Sequence, residues 1–364
     1  MAMLSEVAVY RAKIPLNKPY KVSRWEFRHF EPFIASVRDD EGNIGWGEAV
    51  VTDGYGHETY AEGWRILNRQ AEAIAGQSTA AAKRILEQTL AAAPQATSVL
   101  HMAVEMLEGD PLLEVKTPTR VPLLEPVAAF RVEDVPAEVE RLLGLGFRTF
   151  KVKVGFDPDQ DLARVAAIQA AMGDAAEIRL DANQAFSVAQ AKRFASRLEP
   201  HGIQLFEQPC DKDDWAANAA VAAVSRVPIM LDESIYGLAD IERAGAIDGV
   251  GFVKLKLKKA GGVQLLKHGL ERIREVGLRP VLGDGTATEI GCWFEACIAR
   301  DTIDNAGENN GFLKLATNLF RTPLTFDHGD IVLEPGIAPD IDPDALAGCT
   351  EERRVYEMPR RVSA

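Results

Sequence analysis

Cysteine is scarce in this sequence. Cys210, Cys292, Cys297 and Cys349 are the only four, none forms a CxxC pair, and none stands with histidine at metal-ligand spacing. A disulfide framework and a thiolate zinc site are thereby excluded, and four free thiols in a reducing compartment are expected. Long apolar runs are missing too. The opening "MAMLSEVAVYRAKIPL" holds no signal-like stretch, and nothing approaches the roughly 20 apolar residues of a membrane span. A cytoplasmic protein is therefore expected. Positive charge is in deficit: 41 Lys+Arg face 54 Asp+Glu, a net charge of −13, which argues against a nucleic-acid surface. Within 364 residues there is also no GxGxxG and no low-complexity tract. That length suits one large enzyme fold with an accessory domain.

What is present falls into two textures. Up to about residue 118, alternating segments such as "LSEVAVYRAKIPL" and "FEPFIASVRDDEGNIGWGEAV" predict an antiparallel sheet with a turn at "DDEGN". An Ala-rich helical stretch follows, from about Ala61 to Leu107. Together they predict an α+β domain over 1–118. From Val121 a unit repeats, in which a short β-branched run ends in polar residues and a helix-period segment follows. The runs are "VPLLEPV", "FKVKVG", "EIRLDAN", "IQLFEQP", "VPIMLDES", "GFVKLKLKKAGG", "LRPVLGDG" and "IDNAGENNG". Eight evenly spaced units over 119–326 predict an α/β fold of the (β/α)8 barrel type, with its active site at the C-terminal ends of the strands. A doubly wound open sheet is the weaker alternative. The remainder, 327–364, reads as a segment returning to the first domain.

Three of those strands end in carboxylates: Asp181, Glu207 and Asp232. A single Asp after a strand is commonly a helix cap. Three on successive barrel strands instead converge and repel, and a divalent cation relieves that repulsion. All-oxygen donors suit Mg²⁺ better than Zn²⁺. Asn183, in "DAN", is placed to back the ligands or meet a substrate, whereas Glu233, beside Asp232, is expected to point away. Across the barrel mouth, Lys151 and Lys153 end strand two, and Lys254, Lys256 and Lys258 run along strand six. Lysines on opposite sides of a metal site can serve as base and acid for the two faces of one carbon. A lysine with its usual pKa of about 10.4 is a poor base near neutrality, so a second ammonium beside it has a purpose: it lowers that pKa.

Taken together, these residues resemble the enolase superfamily, in its muconate-lactonizing (muconate cycloisomerase) subgroup of the mandelate racemase/muconate lactonizing enzymes. "GWGE" at 45–48 is similar to the GxGE of that family's capping domain, and "KVK" to its strand-two Lys-x-Lys. "LDAN", "FEQP" and "LDES" resemble its metal strands, and "KLKKAGG" its strand-six lysine. The resemblance implies a modified TIM barrel with an α+β cap and Mg²⁺, with Mn²⁺ as a substitute, on Asp181, Glu207 and Asp232. It also implies Lys153 and Lys256 as the acid/base pair, with Lys151 tuning Lys153, and assembly as a homo-oligomer. A lysine base working beside a metal is an arrangement already familiar from that superfamily. The first step would remove the proton α to the carboxylate of a small-molecule substrate.

Departures from the family pattern bear on the reaction. Ala287 stands where many relatives carry Glu, with Asp284 and Glu289 nearby. No His–Asp dyad of the mandelate-racemase kind is present. The strand-eight end is "ENNG", where Glu308 rather than an Asp-x-Asp is offered to a substrate amine. Lys254 and Asp284 join the site as supporting groups. Tyr20, Trp25, Tyr55 and His57, in the capping stretches 17–27 and 51–60, are expected to close over the ligand. The favoured activity is racemisation or epimerisation of an amino-acid derivative. Muconate-type cycloisomerisation and syn-dehydration of a hydroxy acid or hydroxyproline are the alternatives on the same fold. A non-catalytic acid-binding barrel and a Schiff-base lyase leave the lysine–carboxylate constellation unexplained.

Overall fold

The computed structural model describes residues 2–21, 26–54, 58–336 and 338–358. Five strands open the chain: β1 (Leu4–Ala12), β2 (Ile14–Lys21), β3 (Glu26–Phe30), β4 (Pro32–Asp39) and β5 (Ile44–Val50). β2 and β3 form a hairpin of their own, while β1, β4 and β5 pair antiparallel. "DDEGN" makes the β4–β5 turn. The Asp39 carboxylate accepts from the amides of Glu41 (3.0 Å) and Asn43 (2.8 Å), and Gly42 takes φ +94°.

Helices α1 (Tyr60–Ile74), α2 (Thr79–Leu90) and α3 (Pro94–Leu107) cover one face of that sheet. Val7, Val9, Phe33, Ala35 and Val37 pack there against Leu67, Ala71, Val99 and Ala103. α3 is buried continuously from Gln95 to Glu105, as befits a helix enclosed on all sides. Its first turn lacks a side-chain cap of its own. Glu58 supplies one, accepting from the amides of Gln95 (2.7 Å) and Ala96 (3.0 Å). β5 lies directly on α3, and only glycine allows the approach: a Cβ at Gly47 would stand 2.1 Å from the Val99 carbonyl oxygen.

After β6 (Thr119–Pro122) the barrel begins. Its strands are β7 (Leu124–Pro126), β8 (Thr149–Lys153), β9 (Glu177–Asp181), β10 (Ile203–Glu207), β11 (Ile229–Leu231), β12 (Val250–Leu255) and β13 (Arg279–Leu282), all parallel and in sequential order. Between them run α4 (Val135–Gly144), α5 (Pro158–Met172), α6 (Val188–Ala195), α7 (Trp215–Ala222) and α8 (Leu238–Gly245). The one-turn α9 (Leu257–Ala260) and α10 (Val263–Glu275) follow β12, and α11 (Glu289–Thr302) follows β13. Leu205, Met230, Phe252 and Val281 form a cluster inside the strands. Two residues further along β10 and β12, the same alternation delivers Glu207 and Lys254 to the mouth, and Asp232 follows just past the end of β11.

The eighth unit differs from the sequence expectation. "IDNAGENNG" forms no extended strand; two residues close the ring. Gly307 pairs with the β7 side (Leu124 N to Gly307 O, 3.0 Å), and Glu308 N donates to Leu282 O of β13 at 3.0 Å. Two Gly and three Asn in this run disfavour a longer strand. Beyond it, β14 (Thr325–Asp327) pairs with β15 (Asp330–Leu333), which pairs in turn with β6. After α12 (Pro343–Cys349), β16 (Thr350–Glu357) lies antiparallel to β1, so the cap sheet reads β16–β1–β4–β5. All four cysteines are free thiols. Among the described residues no helix is long and apolar enough to cross a membrane.

Because β5 rests on α3 through bare glycine, Gly47→Ala is expected to destabilise the fold by about 2 kcal/mol or more. A fall in the urea midpoint at unchanged m-value would measure it, and a variant as stable as the parent would refute the close approach.

Candidate active site

At the C-terminal ends of the barrel strands lies a cavity of about 520 Å³, counting its open mouth. It is lined by the sequence-predicted Tyr20, Lys151, Lys153, Asn183, Asp232, Lys254, Lys256, Asp284 and Glu308. Strand register brings them together. Lys153 of β8 stands beside Asp181 of β9, which stands beside Glu207 of β10. Lys254 is the last residue but one of β12, and Lys256 continues in extended conformation just past it, so the two share the inward face. Lys258 departs from the expected strand: it lies in α9, where the chain has already turned helical, yet it still reaches the cavity. In strand order, three strands separate β8 from β12. The Lys151/Lys153 and Lys254/Lys256 pairs therefore face each other across the mouth.

Buried charge here is neutralised almost contact by contact. Lys151 Nζ lies 2.8 Å from Asp181, 3.0 Å from Glu207 and 2.8 Å from Glu308. Lys153 Nζ lies 2.6 Å from Asp181 and donates to Asn183 Oδ1 at 2.7 Å. Lys256 pairs with Asp232 at 2.8 Å, and Lys259 donates to the Asp232 carbonyl at 2.7 Å. Lys254 bonds Glu308 and lies 3.4 Å from Glu207. Burial pulls the Lys151 ammonium down, but three carboxylates outweigh it and hold its pKa well above the ordinary value. Lys153 goes the other way: burial lowers it, Asp181 offsets only part of that, and the neighbouring Lys151 lowers it further. Burial raises Glu207 with help from Asp181, whereas Lys151 and Lys254 overcome burial at Glu308 and depress it.

Several placements depart from expectation. Glu233 does not point away: its Oε1 accepts from Asn183 Nδ2 at 3.1 Å, and burial followed by the charge of Asp232 raises its carboxyl to about 7. β11 has already ended at Leu231, so strand alternation no longer governs the neighbours Asp232 and Glu233. Glu289 turns from the cavity to accept the amides of Leu319 and Phe320. Next to this site, though not predicted as part of it, Asn310 donates to Leu124 O (2.9 Å) and Glu125 (3.1 Å). Trp25, Tyr55 and His57 lie outside the described residues. Phe27, Thr52, Gly285 and Thr286 line the cavity unannounced by the sequence reading; for Thr286 the signal was its place two residues past Asp284. Lys314 was missed as well. It donates to Asn310 Oδ1 (2.6 Å) and Gly285 O (3.0 Å), and its ammonium stands 4.7 Å from the Tyr20 ring centroid.

Asp181, Glu207 and Asp232 suit a hard divalent cation by donor type, and the Lys151 ammonium already bridges the first two as a cation would. Their side chains are not drawn into a ready-made ligand set: among the described residues no three His, Cys, Asp or Glu side chains cluster closely enough to hold a metal. Each carboxylate is turned onto a lysine.

The profile of the family described as "Enolase C-terminal domain-like" matches residues 134–345, more than half the chain. The chain belongs to that family. It is 29% identical to the L-Ala-D/L-Glu epimerase of Bacillus subtilis, over 90% of this chain and 93% of that protein. It is 26% identical to muconate cycloisomerase 1 of Acinetobacter baylyi, over 94% and 98%. Its fold matches a dipeptide epimerase of Cytophaga hutchinsonii solved with Mg and the dipeptide D-Ala-L-Val, with a TM-score of 0.86 at 22% identity, covering 98% of this chain and 100% of that one. The modified barrel with an N-terminal cap is thus the fold that family shares.

Lys151→Met strips the shared cation from three buried carboxylates, at an expected cost of about 3 kcal/mol near neutral pH. In the parent, Asp181 and Glu308 are depressed, so their stabilisation is present at neutral pH and fades in acid. In the variant the same groups repel. The stability gap is therefore expected to widen from pH 4 to pH 7 in urea titrations run with a chelator, and a gap independent of pH would contradict the network.

Proposed function

We propose that the protein is a Mg²⁺-dependent racemase or epimerase that moves the α-proton of an amino-acid derivative carrying a free carboxylate. The observation that supports it is the opposed pair, Lys153 from β8 and Lys256 from just past β12, lining one cavity from facing sides. A carbon between them can lose its proton to one lysine and regain one from the other, which inverts it.

Lys153 suits the base role, since its lowered pKa leaves more of it neutral than an ordinary lysine at the same pH. Asn183 holds its Nζ at 2.7 Å and fixes its direction. Asp232 holds Lys256 at 2.8 Å on the other side, orienting a protonated donor. Asp181, Glu207 and Asp232 would hold the cation, which when bound would offset the negative charge that develops on the substrate carboxylate. Tyr20 and Phe27, from the β2–β3 hairpin, line the same cavity and give it aromatic surface that would limit water around a bound substrate.

Glu308, the candidate partner for a substrate amine, already receives Lys151 and Lys254. A substrate ammonium would be a third cation on one carboxylate. The cavity therefore favours a derivative whose nitrogen is neutral, as in an N-acyl amino acid, over a dipeptide with a free amino terminus. One-lysine chemistry, cycloisomerisation or syn-dehydration, fits the same frame, and the likeness to a muconate cycloisomerase keeps it as the second reading.

Incubation of N-acyl amino acids with enzyme and Mg²⁺ in D₂O is expected to wash deuterium into the α-position of both enantiomers. Lys153→Ala is expected to lose exchange of one enantiomer by about 10³-fold and keep the other, with Lys256→Ala showing the converse. Exchange of a single enantiomer by the parent, or release of water, would shift the assignment to the second reading. Millimolar Mg²⁺ is expected to raise Tm by about 2 °C or more in the parent and to leave Asp232→Asn unchanged. Equal shifts in both would remove Asp232 from the ligand set.

A further inference from the structure

Two carboxylates of the cap enter the barrel at the N-termini of helices, where backbone amides lack partners and the helix dipole favours negative charge. Glu105 of α3 accepts from Val263 N (2.7 Å) and Gln264 N (3.2 Å) at the start of α10. Glu48 of β5 accepts from Thr288 N (2.7 Å) and Gly291 N (2.8 Å), and from the Thr288 hydroxyl, at the start of α11. Both are buried, at 5% and 3% exposure. A glycine opens each socket. A Cβ on Gly262 would lie 2.9 Å from Glu105 Oε2, and one on Gly291 2.5 Å from Glu48 Oε1.

The two sockets differ in what adjoins them. Beyond Glu105 lies α10, none of whose residues lines the cavity. Glu48 belongs to a ring of contacts that does reach it. Two residues along β5, the Val50 carbonyl accepts from Lys258 Nζ at 2.9 Å. Lys258 pairs with Asp284 at 2.5 Å and donates to Thr286 Oγ1 at 3.3 Å. The Thr286 hydroxyl in turn bonds Asp284 at 2.7 Å. Thr286 lies two residues before Thr288, which returns the ring to Glu48. The path thus crosses the cap–barrel interface twice, and Thr52, Lys258, Asp284 and Thr286 on or beside it all line the cavity.

We infer that Glu48 is a positioning residue for the substrate cavity: by gripping the first turn of α11 it sets the cap edge carrying Thr52 against the Lys258–Asp284–Thr286 wall. Glu105 docks the same cap without touching that wall. The substrate's fit is in this way fixed from the domain interface, by a residue that meets neither substrate nor metal ligand.

The kinetic half of the test rests on the proton-transfer function proposed above; the structural half does not. Hydrogen–deuterium exchange of the full chain, read by mass spectrometry, is expected to show faster exchange over 44–52 and 283–292 in Glu48→Ala. Glu48→Gln is expected to restore protection, since its amide oxygen still accepts the Thr288 and Gly291 N–H groups. Glu105→Ala is expected to expose 263–266 alone. In α-proton exchange, Glu48→Ala is expected to raise KM about tenfold with kcat within about twofold, whereas Glu105→Ala leaves KM unchanged. Glu48→Asp, which withdraws the carboxylate by one carbon, replaces the Ala variant if that variant does not fold. Parent-like protection over 283–292 in Glu48→Ala or Glu48→Asp would overturn the inference. An equal KM rise in Glu105→Ala would do the same, because the effect would then be general cap loosening. A parent without any α-proton exchange refutes only the proposed function, and the exchange pattern of the amides still decides the role of Glu48.

Discussion

Ion pairing in a dry barrel mouth is the constraint around which the rest of the molecule is arranged. Lys151, Lys254, Asp181, Glu207 and Asp232 are all about 2% exposed or less, and a buried charge is tolerated only when another charge or several hydrogen bonds meet it. The parallel strands meet that demand through register. β8 sets Lys153 against Asp181, and β10 sets Glu207 against the same Asp181, so each carboxylate is delivered to an ammonium. One layer below, the apolar cluster of Leu205, Met230, Phe252 and Val281 fills the barrel and keeps water from entering beneath. Arg179, on the inward face of β9, is held by Gln204, Asn305 and Ala306 and ties that interior to the chain leading into residues 307–308.

The same logic joins the two domains. The cap could have docked through apolar contact alone. Its α3 instead offers a carboxylate to α10, and its β5 offers one to α11, each in a socket that glycine keeps open. Carboxylates at helix N-termini are directional where apolar contacts are not, so the cap docks in one orientation. Glu105 and Glu48 are both pushed up to about 7, first by burial and despite the amides they accept. The interface has therefore traded some electrostatic cost at neutral pH for that orientation.

Legibility in the sequence followed locality. Strand ends were readable because period-two alternation and a roughly 25-residue repeat are local signals, and they led to the lysines and carboxylates that the structure gathers in one cavity. Where the backbone left regular structure, the reading lost its footing. Glu233 follows a strand that ends at Leu231, and the eighth stave consists of two hydrogen-bonded residues rather than a β-branched run. Contacts between residues far apart in the chain were invisible for another reason. Lys314 beneath Tyr20, and Glu48 against Thr288, join segments some 240 to 300 residues apart, and nothing in either segment names its partner. "GWGE" was visible as a motif; what its glutamate grips was not.

Lys151 and Lys153 began as two like charges on one face of a strand, and the structure gives them unlike fates. Lys151 meets three carboxylates and is held firmly as an ammonium; Lys153 shares Asp181 with it and, among the described residues, has the Asn183 oxygen besides. A carboxylate divided between two cations stabilises each less than it would one alone. The cation that holds more partners therefore leaves its neighbour the easier one to deprotonate. Two lysines of identical intrinsic basicity, both buried, thus come to hold their protons unequally because their partners differ, and the strand period that places both on one face is what makes the asymmetry available.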